Sequence, residues 1–184
     1  MRVIAGTARS LPLKAPKSMS TRPTTDRIKE TLFNILQPWL SDCIFIDLFS
    51  GSGAIGIEAI SRGARRCYFV EKEREAADCI LENLKFTKFT DSATLLKQDV
   101  FSALSRIPEK EADLIFMDPP YGLEYEKKVL DSLRDVKYVT DNTILVIEAD
   151  LFTDFSYVEE MGFTIFKQKK YKTNQHIFLR RTER

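Results

Sequence analysis

The sequence is short of several things at once. One histidine, His176, and three cysteines, Cys43, Cys67 and Cys79, are all it holds of the usual nitrogen and sulfur ligands. A single histidine cannot form a histidine cluster, and the cysteines lack the C-x-x-C spacing of a zinc or redox site. Two of the cysteines fall in apolar strand-like runs and one in a helix-like run, so three small buried hydrophobes are expected, and no metal. His176 lies in an alternating apolar segment, which suits a structural or substrate-edge position better than catalysis. No apolar run approaches the roughly 20 residues that a membrane helix needs. The opening MRVIAGTARS lacks the apolar stretch of a signal peptide, so the cytoplasm is the expected compartment and a monomer the expected state. No repeat or low-complexity tract appears. With 184 residues, 43% of them apolar, the chain has the size of one domain that buries its own core.

Net charge is also scarce, at +1, but it is unevenly spread. Residues 1–30 carry seven Lys/Arg against Asp26 and Glu30, and residues 162–184 carry seven against Glu183 alone. The body between them is therefore acidic. Basic ends on an acidic body fit a protein that grips a polyanion at one site, and equally fit two solvated surface ribbons.

What the sequence does have is alternation of strand and helix. Residues 2–5 and 10–14 are short strand-like runs around Gly6 and predict a small N-terminal β-hairpin. Pro16 and Pro23 mark an extended connector. A helix then starts near Thr25, capped by Thr24 or Thr25, with Ile28, Leu32, Ile35, Leu36 and Trp39 on one face and Pro38 at its end. Continuous apolar strands follow at 43–48, 67–70, 93–96, 114–117 and 144–147. Helices separate them, at about 54–62, 76–84, 100–104 and 125–136. Strands without polar alternation, spaced by helices, mean a parallel sheet buried on both faces. Residues 163–166 and 176–179 read as a terminal hairpin turning near Thr173-Asn174. The expected fold is α/β, Rossmann-like: a mostly parallel, doubly wound sheet with an antiparallel C-terminal edge. The whole chain, 1–184, is read as one domain, with 1–20 as a basic hairpin extension and 21–184 as the catalytic core.

Two constellations carry chemistry. The first is Asp47-Leu-Phe-Ser-Gly51-Ser-Gly53-Ala-Ile-Gly56, at a strand-to-helix junction. Gly51 and Gly53 allow a tight turn and close approach of a ligand, and the helix beyond offers unpaired N–H groups. Glu71 ends the next strand about 20 residues on, where a carboxylate can accept both hydroxyls of a ribose. The same spacing is the dinucleotide fingerprint, so a nicotinamide or flavin enzyme competes. Asp47 separates the two. It would repel a pyrophosphate, whereas it would attract the ammonium of an amino acid such as that in S-adenosylmethionine. Asp99, after the third strand, occupies the next crevice position, where it can accept from an adenine amine or simply cap a helix.

The second constellation is Asp118-Pro119-Pro120-Tyr121, directly after a strand. Two prolines end the ladder and fix an extended turn. That turn sets the Asp118 carboxylate and the Pro119 carbonyl side by side as acceptors, with Tyr121 as an aromatic face. An exocyclic amine on a base is a poor nucleophile because its lone pair is delocalised into the ring. Two acceptors on its two N–H bonds pull the nitrogen toward tetrahedral geometry, while stacking on Tyr121 holds the base.

Taken together, these residues resemble the RsmD family of bacterial methyltransferases. Asp47–Gly53 is similar to its cofactor motif, Asp118–Tyr121 to its catalytic motif, and Arg22-Pro-Thr-Thr-Asp-Arg-Ile-Lys-Glu-Thr-Leu-Phe33 to a segment typical of it. Arg2-Val-Ile-Ala-Gly6 and the chain length also fit, so the resemblance covers nearly the whole chain. It implies an S-adenosylmethionine-dependent enzyme that makes N2-methylguanosine in the 16S RNA of the small ribosomal subunit, either as RNA or as a partly assembled or complete particle. It also implies that Glu71 holds the ribose, Asp99 the adenine, and the segment containing Arg22 and Thr24 the methionine end. Asp118, Pro119 and Tyr121 would position the guanine. Arg2, Arg9, Lys14 and Lys17 are the expected contacts to nucleic acid. Three alternatives stay open: an N6-adenine methyltransferase of DNA or RNA, an NAD-dependent oxidoreductase, which leaves Asp118–Tyr121 idle, and a non-catalytic RNA-binding protein, which leaves the glycine loop idle.

Overall fold

The computed structural model describes residues 1–16 and 25–182. Lys17, Arg22 and Thr24 therefore lie outside the described residues. Strands β1 (Ile44–Asp47), β2 (Arg66–Val70), β3 (Ala93–Leu96), β4 (Leu114–Met117) and β5 (Ile144–Asp150) run parallel. Strands β6 (Phe163–Lys170) and β7 (Asn174–Arg181) form the terminal hairpin. Among the described residues the sheet has seven strands in the order β3-β2-β1-β4-β5-β7-β6, with β7 antiparallel to both neighbours. This is the doubly wound sheet with an antiparallel C-terminal edge that the sequence predicts, and both hairpin strands run further than the expected 163–166 and 176–179.

Every residue of β1 and β4 is buried, as a strand covered on both faces requires. Helices α1 (Asp26–Leu36), α2 (Ala54–Ser61) and α3 (Arg74–Thr87) cover one face, where Phe33, Ile57 and Ile80 meet Phe45, Phe116, Val146 and Phe178. Helices α4 (Val100–Leu104) and α5 (Tyr125–Leu133) cover the other, where Val129 and Leu133 meet Ile46, Ile115 and Ile147. Thr25 caps α1 by accepting from the Ile28 N–H at 3.4 Å. Helix α5 ends at Leu133, short of the expected 136. No helix among the described residues is long and apolar enough to cross a membrane.

Helix α2 is buried on all sides. A surface helix has a polar face, so this one needs cover on its outer side. The N-terminal segment provides it. The Ile4 and Ala5 N–H groups donate to the Glu58 carboxylate at 2.7 and 3.0 Å, and the Ala8 N–H to Ser61 Oγ at 2.9 Å. Gly6 is the point of closest approach. It has φ of +83°, and a Cβ there would lie 1.7 Å from the Ser61 carbonyl oxygen. The expected N-terminal hairpin is reduced to a bent turn with one antiparallel bridge, Arg2 to Pro12. Val3, Ala8 and Leu13 are buried in the core, so residues 1–16 pack against the body of the fold.

Candidate active site

The chain leaves β1 toward β2 and β3 on one side and returns to β4 and β5 on the other. Where the winding reverses, the carboxyl ends of β1 and β4 open a crevice. A cavity of about 1080 Å³ lies there. Its walls include Gly51, Glu71, Asp99, Asp118, Pro119 and Tyr121. Six predicted residues from four separate stretches of sequence thus share one cavity.

The glycine loop is held from below. Ser50 Oγ donates to the Asp47 carbonyl at 2.8 Å and accepts from the Val70 N–H at 3.0 Å, which ties the ends of β1 and β2 together. The Gly51 N–H donates to Glu71 Oε2 at 2.9 Å, and the Glu73 N–H to Glu71 Oε1 at 2.8 Å. Each Glu71 oxygen keeps a lone pair for a ligand. Gly53 and Asp47 are not among the walls. Gly53 begins α2 and faces Ile80 and Phe69. Gly56 lets α2 sit directly on β2, since a Cβ there would meet the Phe69 ring at 2.4 Å and Cys67 Sγ at 2.6 Å. Asp47 lies beneath the loop, 1% exposed, where Oδ2 accepts from the Gly56 N–H at 3.3 Å. Its other oxygen, Oδ1, is buried with no hydrogen-bond partner among the described residues. Burial pushes this carboxyl up to about 7, against the pull of the Gly56 N–H.

Asp99 is the cap of α4, accepting from the Ser102 N–H at 3.0 Å and the Ser102 hydroxyl at 2.6 Å. The Ser102 hydroxyl, then its N–H, lowers the Asp99 carboxyl below the usual range. The cap and the cavity wall are the same side chain. Asp118 follows β4, half-buried, and its carboxyl stands well above the ordinary range because of burial, then Glu148, Asp47 and Glu126. Tyr121 is half exposed at the mouth, and burial of its inner part followed by the nearby Asp118 raises its hydroxyl.

Several wall residues carry no local sequence signal. Phe49, Phe101 and Tyr125 form an aromatic side, with Tyr125 edge-on to Phe49 at 5.7 Å and stacked on Phe101 at 6.2 Å between ring centres. Glu148 and Asn174 come from β5 and β7, and Lys169, Lys170 and Lys172 from the terminal hairpin. Arg2, Arg9 and Lys14 are not brought to the cavity. Arg2 pairs with Asp26 at 2.9 Å and Lys14 with Glu82 at 2.6 Å, while Arg9 is exposed on the turn beside Ala8.

The chain matches the family described as Conserved hypothetical protein 95 over residues 1–180. A Haemophilus influenzae protein named Ribosomal RNA small subunit methyltransferase D is 31% identical over 172 residues, covering 92% of this chain and 88% of that one. This chain belongs to that family, the RsmD family. The Bacillus subtilis protein YlbH is 38% identical over 152 residues, covering 82% of this chain and 83% of its own. The solved structure of Escherichia coli yhhF superposes with a TM-score of 0.84 at 27% identity, covering 100% of this chain and 99% of that one. Membership of the RsmD family makes the chain a methyltransferase rather than a dehydrogenase. The cavity accordingly brings the loop and the Asp118–Tyr121 turn of an RsmD-family chain to one place.

Proposed function

We propose that this protein transfers a methyl group from S-adenosylmethionine to the exocyclic N2 amine of a guanine in small-subunit ribosomal RNA. The observation that carries the reading is the Asp118-Pro119-Pro120-Tyr121 turn on the wall of the cavity that also holds Gly51 and Glu71. The names of relatives such as the Haemophilus protein support the choice of RNA.

The residues present suit the cofactor. Its methyl donor is a cationic sulfur and its amino-acid end an ammonium. Glu71 and Asp99 make this end of the cavity acidic, and Asp47 Oδ1, beneath the loop, is a buried acceptor with no hydrogen-bond partner among the described residues. Glu71 would take the ribose hydroxyls and Asp99 the adenine amine, beside the Phe101 ring. Asp47 would act through its charge from beneath the loop. When bound, the cofactor supplies an electrophilic methyl group. The protein must then align and activate the amine, which in-line displacement requires more than a strong base. The Asp118 carboxylate and Pro119 carbonyl accept the two N–H bonds of the amine, and Tyr121 stacks on the base. A carboxylate held above its usual range is also a better proton acceptor, so Asp118 takes the proton that the methylated nitrogen sheds. Lys169, Lys170 and Lys172 at the rim meet phosphates.

The test is nucleoside analysis after reaction of the purified protein with small-subunit RNA or particles and tritiated S-adenosylmethionine. Label in N2-methylguanosine is expected. Label confined to N6-methyladenosine would overturn the reading.

A further inference from the structure

Glu148 and Asn174 stand beside Asp118 and have no part in the chemistry above. Met117 on β4 pairs with Ile147 on β5, so Asp118 and Glu148 follow as neighbours on adjacent strands, which lie about 4.8 Å apart. Glu148 is 4% exposed and lines the cavity. Its Oε1 accepts from Asn174 Nδ2, and its Oε2 faces His176 Nε2 at 3.0 Å. His176 Nδ1 faces the Tyr171 hydroxyl at 3.1 Å. With Tyr171 donating to Nδ1 and Nε2–H donating onward, a neutral His176 satisfies both contacts. Both hydrogen-bond partners of Glu148 among the described residues are thus donors, and each oxygen keeps a lone pair. Asn174 adds a second, independent observation. It is 6% exposed, it lines the cavity, and its Oδ1 is buried with no hydrogen-bond partner among the described residues. The wall next to Asp118 thus offers acceptors: spare lone pairs on both Glu148 oxygens, and an Asn174 Oδ1 with no partner among the described residues.

The bases that carry an exocyclic amine differ at the ring position next to it. Beside the guanine N2 amine stands N1–H, a donor. Beside the adenine N6 amine and the cytosine N4 amine stand bare lone pairs, N1 and N3. We propose that Glu148, held in place by His176 and Asn174, accepts the N1–H of the target guanine and so selects guanine over adenine and cytosine. This inference rests on the guanine-N2 reading and gives that reading its residue. The motif at Asp118–Tyr121 engages any exocyclic amine, so the choice of base must come from a neighbour. An adenine placed with its amine on Asp118 would set a lone pair against a carboxylate and leave both unsatisfied. Loss of a hydrogen bond to a charged group corresponds to roughly tenfold to a hundredfold in rate or affinity.

The test uses the full protein and a base analogue. Once the labelled guanine is mapped, small-subunit RNA is prepared with 2-aminopurine at that position. This base keeps the 2-amino group but presents a bare N1 lone pair. Wild-type protein is expected to methylate it at least tenfold less efficiently than guanine, measured as kcat/KM. Glu148→Gln should narrow that preference by tenfold or more while binding S-adenosylmethionine normally. The amide can turn its NH2 toward N1, and His176 can accept from the amide by changing tautomer. The 2-aminopurine base also lacks the guanine O6, and the variant separates the two effects, because it restores only the N1 hydrogen bond. A purely structural Glu148 would lower turnover on both RNAs equally. Equal rates of wild type on the two RNAs, or an unchanged preference in Glu148→Gln, would overturn the inference and leave the guanine-N2 reading standing. Label found in adenosine instead would overturn both.

Discussion

Burial raises both Asp47 and Asp118 above the usual carboxylate range, yet one lies under the cavity wall and the other in it. Replacing each should therefore fail differently. Asp118→Ala removes an acceptor from the amine, so turnover should fall at least about a hundredfold, as for removal of a positioned proton acceptor. Calorimetry should find S-adenosylmethionine affinity nearly unchanged. Tyr121→Phe should be mild, whereas Tyr121→Ala should lose about 1–3 kcal/mol of base stacking, read as a higher KM for RNA. Asp47 makes a pH prediction. Its carboxyl titrates near 7 in the folded chain and near 3.8 in the unfolded one. A raised carboxyl contributes stability that is full below the unfolded value of 3.8 and is lost as pH rises through 7. Asp47→Asn should therefore melt higher than wild type at about pH 8, and the advantage should shrink steadily toward about pH 4. A difference in melting temperature that stays constant across that range would contradict it. The same group ties cofactor binding to pH. A cationic ligand favours the ionised form, so affinity should weaken as pH falls below about 7, with proton release visible as a buffer-dependent heat.

At the scale of elements, α2 and the segment that covers it are one unit joined by Glu58. This side chain is fully buried and accepts from Ile4, Ala5 and Arg62, with the Lys29 ammonium at 3.3 Å. Burial lowers the Lys29 ammonium from its usual value, and Glu58 opposes that shift. Glu58→Ala would leave two backbone donors without their acceptor and two largely buried cations, Lys29 and Arg62, without their carboxylate, although Lys29 would still donate to the Arg2 carbonyl at 2.6 Å. A destabilisation of about 3–5 kcal/mol is expected, seen as a lower urea midpoint. The sequence shows the strands, the glycine loop and the proline turn clearly, because each is written in consecutive residues. Helix α2 is also written there, but its meaning is easily missed. Ala-Ile-Gly-Ile-Glu-Ala-Ile-Ser has no polar face, and that alone requires a cover such as the N-terminal segment. Glu148, His176 and Asn174 have no such local signature. They meet only because β7 pairs with β5 in a register that sets Glu148 opposite His176, a long-range event that no window of sequence reports.

At the scale of the molecule, the uneven charge of the chain becomes a cavity with an acidic end and a basic rim. The rim lysines at 169, 170 and 172 border the cavity, whereas two of the N-terminal cations are engaged with Asp26 and Glu82. The hairpin lysines are therefore better placed to dock RNA than Arg2 or Lys14. Changing Lys169, Lys170 and Lys172 to Ala should weaken RNA binding and flatten its salt dependence, with the slope reduced by about 0.7 for each phosphate no longer neutralised on a single strand. Charge reversal at Arg9 and Lys14 should flatten it less. Filter binding across a salt series compares the two, and an equal effect would return docking to the N-terminal segment.

The place of β7 in the sheet also has a consequence for synthesis. It is the last strand in chain order, but it lies between β5 and β6 rather than at the edge. While the nascent chain is still emerging from a ribosome, β1 to β5 can pair with one another. Until β7 is threaded in, β5 keeps an apolar edge, Ile144-Leu-Val-Ile147, with unpaired backbone groups that invite pairing with other chains. The same strand delivers Asn174 and His176 to Glu148. Closure of the sticky edge and completion of the base-facing wall are one event, so an unfinished chain has no finished wall to offer a base.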